Sequence, residues 1–550
     1  MSILADQALE LLLFNLHQDT FNYTETIGKR TITKTATWKF STPCSSVSSV
    51  QDSTSTLLAA RALAKAGNVT LAWNSIRALF SGQRADGFLP NYRYYDTDQL
   101  HVPEFAENDA QEYYINNTTI PGPRFGSQLA SLPFHASVVL DVFAWSEQSE
   151  DDVQRLVDLY TSIYRYHHYM VEQRPHLWHP WESLRDVHSW IQPLSSIRNH
   201  MKAAQWKIPF EVPPQVLHSY DYHPDVYGPC VYLLECYANS TRKNETSSPP
   251  GTSSCPPLPQ FWSVEHAAIW IQAHRDLLEM RRVLRDRHAD WLLVSMDPVL
   301  PTQWLTSAQE QLERLWSHEH GSFLPKQDNQ SVVVADATNF VALWTRSNDT
   351  SRAYEFASNL LLRDSSEFSF DCGIHAVWSR GGCEEPSFIS PLLNYFISTG
   401  LDRNDLHGIS YVISNATTNK LFPISKDMNV DFPLVVHAET GLPFAHPDDV
   451  CSLRSTTTAA AVYNLATPTP ARTYHPDPPI RSSGIIVLII VELIVALAIG
   501  ASCLFLNLKM LRESSRLVRE EEEREDGFFS TTGSLGEHRY EAVVNDGSDD

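Results

Sequence analysis

Between Gly484 and Leu508 the chain runs for twenty-five residues, GIIVLIIVELIVALAIGASCLFLNL, with one charged side chain, Glu492. A helix of that length spans about 37 Å, enough to cross a bilayer with some tilt. The run predicts a transmembrane helix over 484–508 and divides the chain into a large part before it and a short tail after it. Lys509, Arg512, Arg516 and Arg519 follow it, and Arg481 alone stands just before it. By the positive-inside rule the C-terminus is then cytosolic and the N-terminal part lumenal or extracellular. Nine Asn-X-Ser/Thr sequons, at Asn22, Asn68, Asn116, Asn117, Asn239, Asn244, Asn329, Asn348 and Asn415, all precede the run. They agree with a glycoprotein domain on the lumenal side. The opening residues, MSILADQALELLLFNLHQD, carry Asp6 and Glu10 and no basic start, so they do not read as a signal peptide. Insertion directed by the apolar run, or a start further upstream, would each account for this.

The formal net charge is −23, which argues against nucleic acid and anionic membrane surfaces as partners. Residues 509–550 hold six Lys/Arg and twelve Asp/Glu, the composition of a disordered acidic tail. Phe528-Phe529 and Tyr540-Glu541-Ala542-Val543 are similar to secretory-export and tyrosine-type sorting signals and suggest trafficking adaptors as partners. Residues 466–483, ATPTPARTYHPDPPIRSS, predict a Pro-rich stalk. Outside the apolar run stand Cys44, Cys230, Cys236, Cys255, Cys372, Cys383 and Cys451. An oxidising lumen permits disulfides; nearness in sequence suggests Cys236–Cys255 and Cys372–Cys383, with connectivity open. No spacing reads as a zinc site, and no cofactor is expected.

Residues 1–465 read as one large domain of paired helices. The run TSTLLAARALAKAG follows Asp52 and Ser53, either of which can cap it, and Gly67 stops it. A second helix, LAWNSIRALFSGQ, ends at a Gly- and Pro-bearing loop. The same alternation returns at 127–173, 221–286, 335–363 and 384–466, with 239–258 as a low-complexity insert. In the helix after residue 150, His167 and His168 read as ordinary helix residues, because no carboxylate accompanies them at ligand spacing.

Chemistry concentrates in His176–Trp190, HLWHPWESLRDVHSW, with three Trp, Glu182 and Asp186. Aromatic faces beside carboxyl groups suit a sugar, whose apolar C–H face packs on the rings while the carboxyls handle hydroxyls and protons. A buried Trp cluster with Glu and Asp at the surface would use the same residues.

His179-Pro180-Trp181-Glu182-Ser183, followed by Asp186 and Trp190, resembles the motif of a clan of six-hairpin glycosidases. That clan includes the processing α-glucosidases and mannosylglycerate hydrolases. Asp52-Ser53, Gln83, Asp86-Gly87 and Pro90 resemble the clan's opening hairpin, with Gln51 where the clan has Trp. Asn394-Tyr395 and Gly400-Leu401 resemble a later helix, and Thr440-Gly441 the end of the catalytic-base loop. The resemblance implies an all-α (α/α)6 toroid and an inverting glycoside hydrolase acting on an α-linked glycan or small glycoside. It implies Asp186 as general acid, and Asp52, Gln83, Trp178, His179, Trp181, Glu182 and Trp190 as substrate-binding residues. Counting back from Thr440-Gly441, the base position holds Leu434, and Glu439 is the nearest carboxyl able to serve. The alternative is a catalytically impaired toroid acting as a carbohydrate-binding or scaffolding membrane glycoprotein.

Overall fold

The computed structural model describes residues 3–27, 30–44, 50–94, 127, 129–174, 182, 184, 190–191, 193–208, 223–242, 261–289, 293, 296–327, 330–331, 337–346, 350–362, 388–420, 432–433, 436–437, 454–474, 501–502 and 504–516. The chain forms two units, Met1–Pro476 and Asp477–Asp550.

The first unit opens with α1 (Ile3–Phe14) and a long antiparallel hairpin, β1 (Leu16–Ile27) and β2 (Arg30–Ser41). A short pair, β3 (Val50–Asp52) and β4 (Tyr92–Tyr94), brackets α2 (Ser53–Lys65) and α3 (Val69–Phe80). Then come α4 (His135–Ala144), α5 (Glu150–Gln173), α6 (Ser195–Ala203), α7 (Pro224–Arg242), α8 (Val264–Asp286) and α9 (Leu300–Arg314). A 3₁₀ helix, Ala337–Trp344, precedes α10 (Thr350–Leu362), α11 (Pro391–Arg403), α12 (His407–Lys420) and α13 (Thr456–Ala466).

Among the described residues, six segments close a ring: α2 packs on α4, α4 on α8, α8 on the 3₁₀ helix, that helix on α11, α11 on α13, and α13 back on α2. Each has an outer mate: α3 on α2, α5 on α4, α9 on α8, α10 on the 3₁₀ helix, α12 on α11, and α1 on α13. The chain thus alternates outer and inner segments, and its first helix completes its last hairpin. This is the expected (α/α)6 toroid.

Composition explains which segments go inside. Residues 53–64 of α2, all of α4, and α13 through Asn464 are buried on every face. A helix without a polar stripe belongs in an interior. Their Ala, Ser and Thr residues let neighbouring backbones approach. The outer α5 carries a polar face and starts with a capping box between Ser149 and Asp152. At the end of α2, Gly67 takes φ 87° and the Asn68 amide donates back to Leu63 O, a left-handed turn that glycine enters without strain.

Of the segment expected as a stalk, 467–474 hydrogen-bond to the ring, the compact unit extends to Pro476, and 475–483 lie outside the described residues. Among the described residues no helix is long and apolar enough to cross a membrane. Most of the expected span 484–508 lies outside them; 501–502 and 504–516 are helical, with Leu504, Phe505 and Leu506 exposed. Cys44 and Cys236 are both disulfide-bonded. Cys255, Cys372 and Cys383, on which both suggested pairings depend, lie outside the described residues.

Candidate functional site

The ring has two chemically different ends. At one lie the N-termini of inner helices, capped by Asp52 on α2, Ser263 on α8, Ser390 on α11 and Ser455 on α13. Each cap side chain accepts a backbone N–H of the first turn, the reason Ser and Asp are favoured at this position.

Hydrogen bonds join these N-termini. Ser55 and Thr457 hydroxyls meet at 2.5 Å, linking α2 to α13. Ser53 Oγ donates to Asn91 Oδ1 at 2.6 Å and receives Ser131 Oγ at 2.6 Å. Ser131 Oγ also lies 2.8 Å from His135 Nε2, and the Tyr166 hydroxyl donates to Ser131 O. Burial holds the His135 imidazole down to about 3, so it is neutral at ordinary pH.

Glu182 is the hub of this end. Its buried carboxylate receives Arg174 Nη1 at 3.0 Å and Nη2 at 3.4 Å, and the Ala130 amide at 2.5 Å. Its carbonyl O lies 3.0 Å from His266 Nε2. One residue thereby ties the central motif to the end of α5, the segment before α4 and the first turn of α8. The paired guanidinium–carboxylate contact fixes direction as well as charge. Arg174, Ala130 and His266 belong to none of the motifs in the sequence. A faint signal was present at His266, where Glu265-His266 follows the Ser263 cap at the start of the helix, ahead of the apolar run Ala267–Ile271.

The other expected binding residues divide. Asp52 is buried, and its Oδ2 accepts the Ser55 amide at 2.6 Å. Burial pushes its carboxyl pKa up against the lowering effect of its hydrogen bonds to Ser55 and Thr54. Gln83 lies in the loop after α3, where its Nε2 donates to Gly87 O and Ser162 O, each at 2.8 Å, fastening that loop to α5. Trp190 is 3% exposed and packs with Leu194, Ile197, Val226 and Cys230 in a satellite core, apart from the ring. Trp178, His179, Trp181, Asp186 and Glu439 lie outside the described residues.

The chain leading to Glu439 is placed at the same end as Glu182. Ser455 N donates to Phe432 O at 3.1 Å, and Thr458 Oγ1 to Pro433 O at 3.1 Å, at the start of α13. Val436–His437 pairs antiparallel with Phe388–Ile389, just before the cap of α11. So Phe432–Pro433 lies beside α13 and Val436–His437 beside α11, whereas Glu182 sits between α4 and α8. In the ring order those two pairs are diametrically opposed. No group of three or more His, Cys, Asp or Glu arranged to hold a metal occurs among the described residues.

Solved structures share this architecture. A glycoside hydrolase family 63 mannosylglycerate hydrolase from Thermus thermophilus, in complex with Tris, is 17% identical with a TM-score of 0.59, covering 84% of this chain and 99% of that one. The same enzyme with Tris and D-glycerate gives 18% identity, TM-score 0.59 and coverage of 84% and 100%. With glucose the values are 16%, 0.56, 84% and 99%. At these identities the likeness establishes the fold. No curated protein sequence matches the chain. The sequence model of the mannosylglycerate hydrolase MGH1-like glycoside hydrolase domain matches residues 50–381, more than half of the chain and including the central motif. The chain therefore belongs to the mannosylglycerate hydrolase MGH1-like glycoside hydrolase family.

Proposed function

We propose that this protein is a membrane-anchored glycoside hydrolase that cleaves an α-glycosidic bond in a glycan or small glycoside with inversion. The observation that carries the reading is the opposition across the ring of Glu182, four residues before Asp186, and the 432–437 segment, two residues before Glu439. Inverting hydrolysis needs two carboxyl groups facing each other about 6.5–9.5 Å apart, with the sugar and a water between them.

In this reading Asp186 gives its proton to the glycosidic oxygen as the C–O bond breaks. Glu439 takes a proton from water as the water oxygen bonds to the anomeric carbon from the opposite face. Arg174 and His266 hold Glu182, four residues from the acid, and Trp178, His179 and Trp181 pack on the sugar. Helix N-termini at this end favour a substrate bearing a carboxylate. The D-glycerate and glucose held by solved relatives agree with a small sugar or sugar acid. Anchoring is assigned to 484–508, with the catalytic domain lumenal and adaptors on the tail.

The test is hydrolysis of a panel of α-mannosides, α-glucosides and mannosylglycerate by the full chain, with the product anomer read by NMR. Asp186→Asn and Glu439→Gln are each expected to lower kcat by about 10²–10⁴. Loss in the first variant alone moves the base role to another carboxyl. A second reading, a binding toroid without catalysis, is favoured by Leu434 at the position the clan gives its base. Sugar binding without turnover in the unmodified chain would establish it. Carbonate extraction tests the anchor: recovery of the full chain in the soluble fraction would refute it.

A further inference from the structure

The far end of the ring is closed by charge. Asp141 on α4 and Asp276 on α8 are both buried and face one another across the same few ångströms. Between them lies Arg472, from the segment after α13. Its Nε donates to Asp141 Oδ1 at 2.6 Å, its Nη1 to Asp276 Oδ1 at 3.1 Å, and its Nη2 to Ser137 O at 3.0 Å. Ser137 Oγ in turn donates to Asp276 Oδ2. The second Asp141 oxygen is taken by Arg61 Nε at 2.6 Å, and Arg61 Nη1 reaches Asn464 Oδ1 at 2.9 Å. All three nitrogens of the Arg472 guanidinium are thus matched by acceptors in a fork that an ammonium could not satisfy. Within this hydrogen-bonded group two carboxylates meet two guanidiniums, with the buried Arg403 guanidinium near both carboxylates.

Around that group the chain lies flat on the ring. Lys65 Nζ donates to Thr467 O at 2.6 Å and to Thr469 Oγ1 at 3.2 Å. Trp145 Nε1 donates to Pro470 O at 3.3 Å, and Gln148 Nε2 to Thr473 O at 2.7 Å. The Tyr474 ring lies 6.3 Å from Phe143, with the Arg282 guanidinium 5.8 Å over it.

We propose that Asp141, Asp276 and the Ser137 carbonyl form a guanidinium-binding site at the C-terminal end of the ring, which the chain fills with its own Arg472. Occupancy of the site seals that end and makes 467–474 a strap across α2, α4 and α8, leaving 475–483 to connect the strap to the apolar run. The site belongs to the opposite end from the proposed catalytic residues and does not depend on them.

Chemical rescue tests it. In the full chain Arg472→Ala is expected to lower Tm by about 5 °C, because a buried carboxylate loses its partner. Low-millimolar ethylguanidinium should recover part of that loss saturably, as a ligand of the folded state does. It should leave the unmodified chain and the Arg472→Ala/Asp276→Asn double variant unmoved, and ethylammonium should not rescue Arg472→Ala. Equal responses of variant and unmodified chain to ethylguanidinium, or no response in either, would overturn the proposal. Trypsin gives a second measure that stands even if Arg472→Ala does not fold. The Arg472–Thr473 bond should be spared in the unmodified chain and cut about tenfold faster in Asp276→Asn. Cleavage in the folded, unmodified chain at the rate of a free peptide would also overturn it.

Discussion

Arg174 and Glu182 hold their charges 3.0 Å apart with side chains 9% and 0% exposed. A carboxylate so placed has no water to fall back on when its partner goes. Arg174→Met is expected to cost about 3–5 kcal/mol of stability, and Arg174→Met/Glu182→Met together less than the sum of the two single changes. Urea unfolding of the four proteins closes that cycle; additive effects would remove Glu182 from its role as a hub. The motif made Glu182 legible as a functional position but not which function. Its neighbours in sequence suggest a sugar ligand, and the structure adds its contacts with Arg174, Ala130 and His266. The partners of Gln83, whose amide fastens a loop, and of Trp190, which packs in a satellite core, are likewise set by residues distant in the chain.

At the level of elements, the ring depends on close backbone approach. A Cβ added to Gly400 on α11 would lie 2.6 Å from Leu343 C and from Trp344 N, backbone atoms that cannot swing aside. Gly400→Ala should therefore destabilise by about 1–3 kcal/mol through overpacking. Gly408 on α12 has nothing within 4 Å of an added Cβ. Gly408→Ala should be neutral or slightly stabilising, since it removes freedom from the unfolded chain. Thermal unfolding of the pair separates packing from propensity. The start of α2 was readable from the sequence because capping is local: Asp52 before Ser-Thr-Ser announces it within four residues. The 3₁₀ geometry of Ala337–Trp344 was not, because its sequence carries a helical pattern that does not separate the two windings.

On the scale of the whole molecule, the ring interior carries neutral histidines. Burial holds His274 and His135 down to about 3. Burial, with His274 and His135 nearby, pushes His167 well below its usual value. Neither ring nitrogen of His167 has a hydrogen-bond partner among the described residues; the ring packs edge-on against Trp270 at 4.8 Å. The folded-state pKa values lie below the unfolded value of about 6.5, so between about pH 6 and 4 the unfolded chain binds protons that the folded chain refuses. Stability is then full above that window and falls on acidification, by about 1.4 kcal/mol per pH unit for each histidine. Asp141, which burial would raise but Arg472 and Arg61 hold down to about 2, adds a loss in the same direction only below about pH 4. His167→Phe should flatten the dependence of Tm on pH by about a third, and an unchanged slope would refute this origin.

What the sequence determined by itself was whatever is periodic or local. The alternation of inner and outer helices follows from which stretches lack a polar face, the caps from single Ser and Asp residues, and the family from the run around Glu182. Tertiary structure decided what depends on distant partners. Ser55 meets Thr457, Arg61 meets Asp141 and Asn464, and Arg472 meets Asp141 and Asp276 across separations that no window of sequence spans. The stretch read as a Pro-rich stalk shows why. Proline and small polar residues state only that a segment will not form a helix, and whether it runs free or lies against a domain depends on a charge and the acceptors waiting for it.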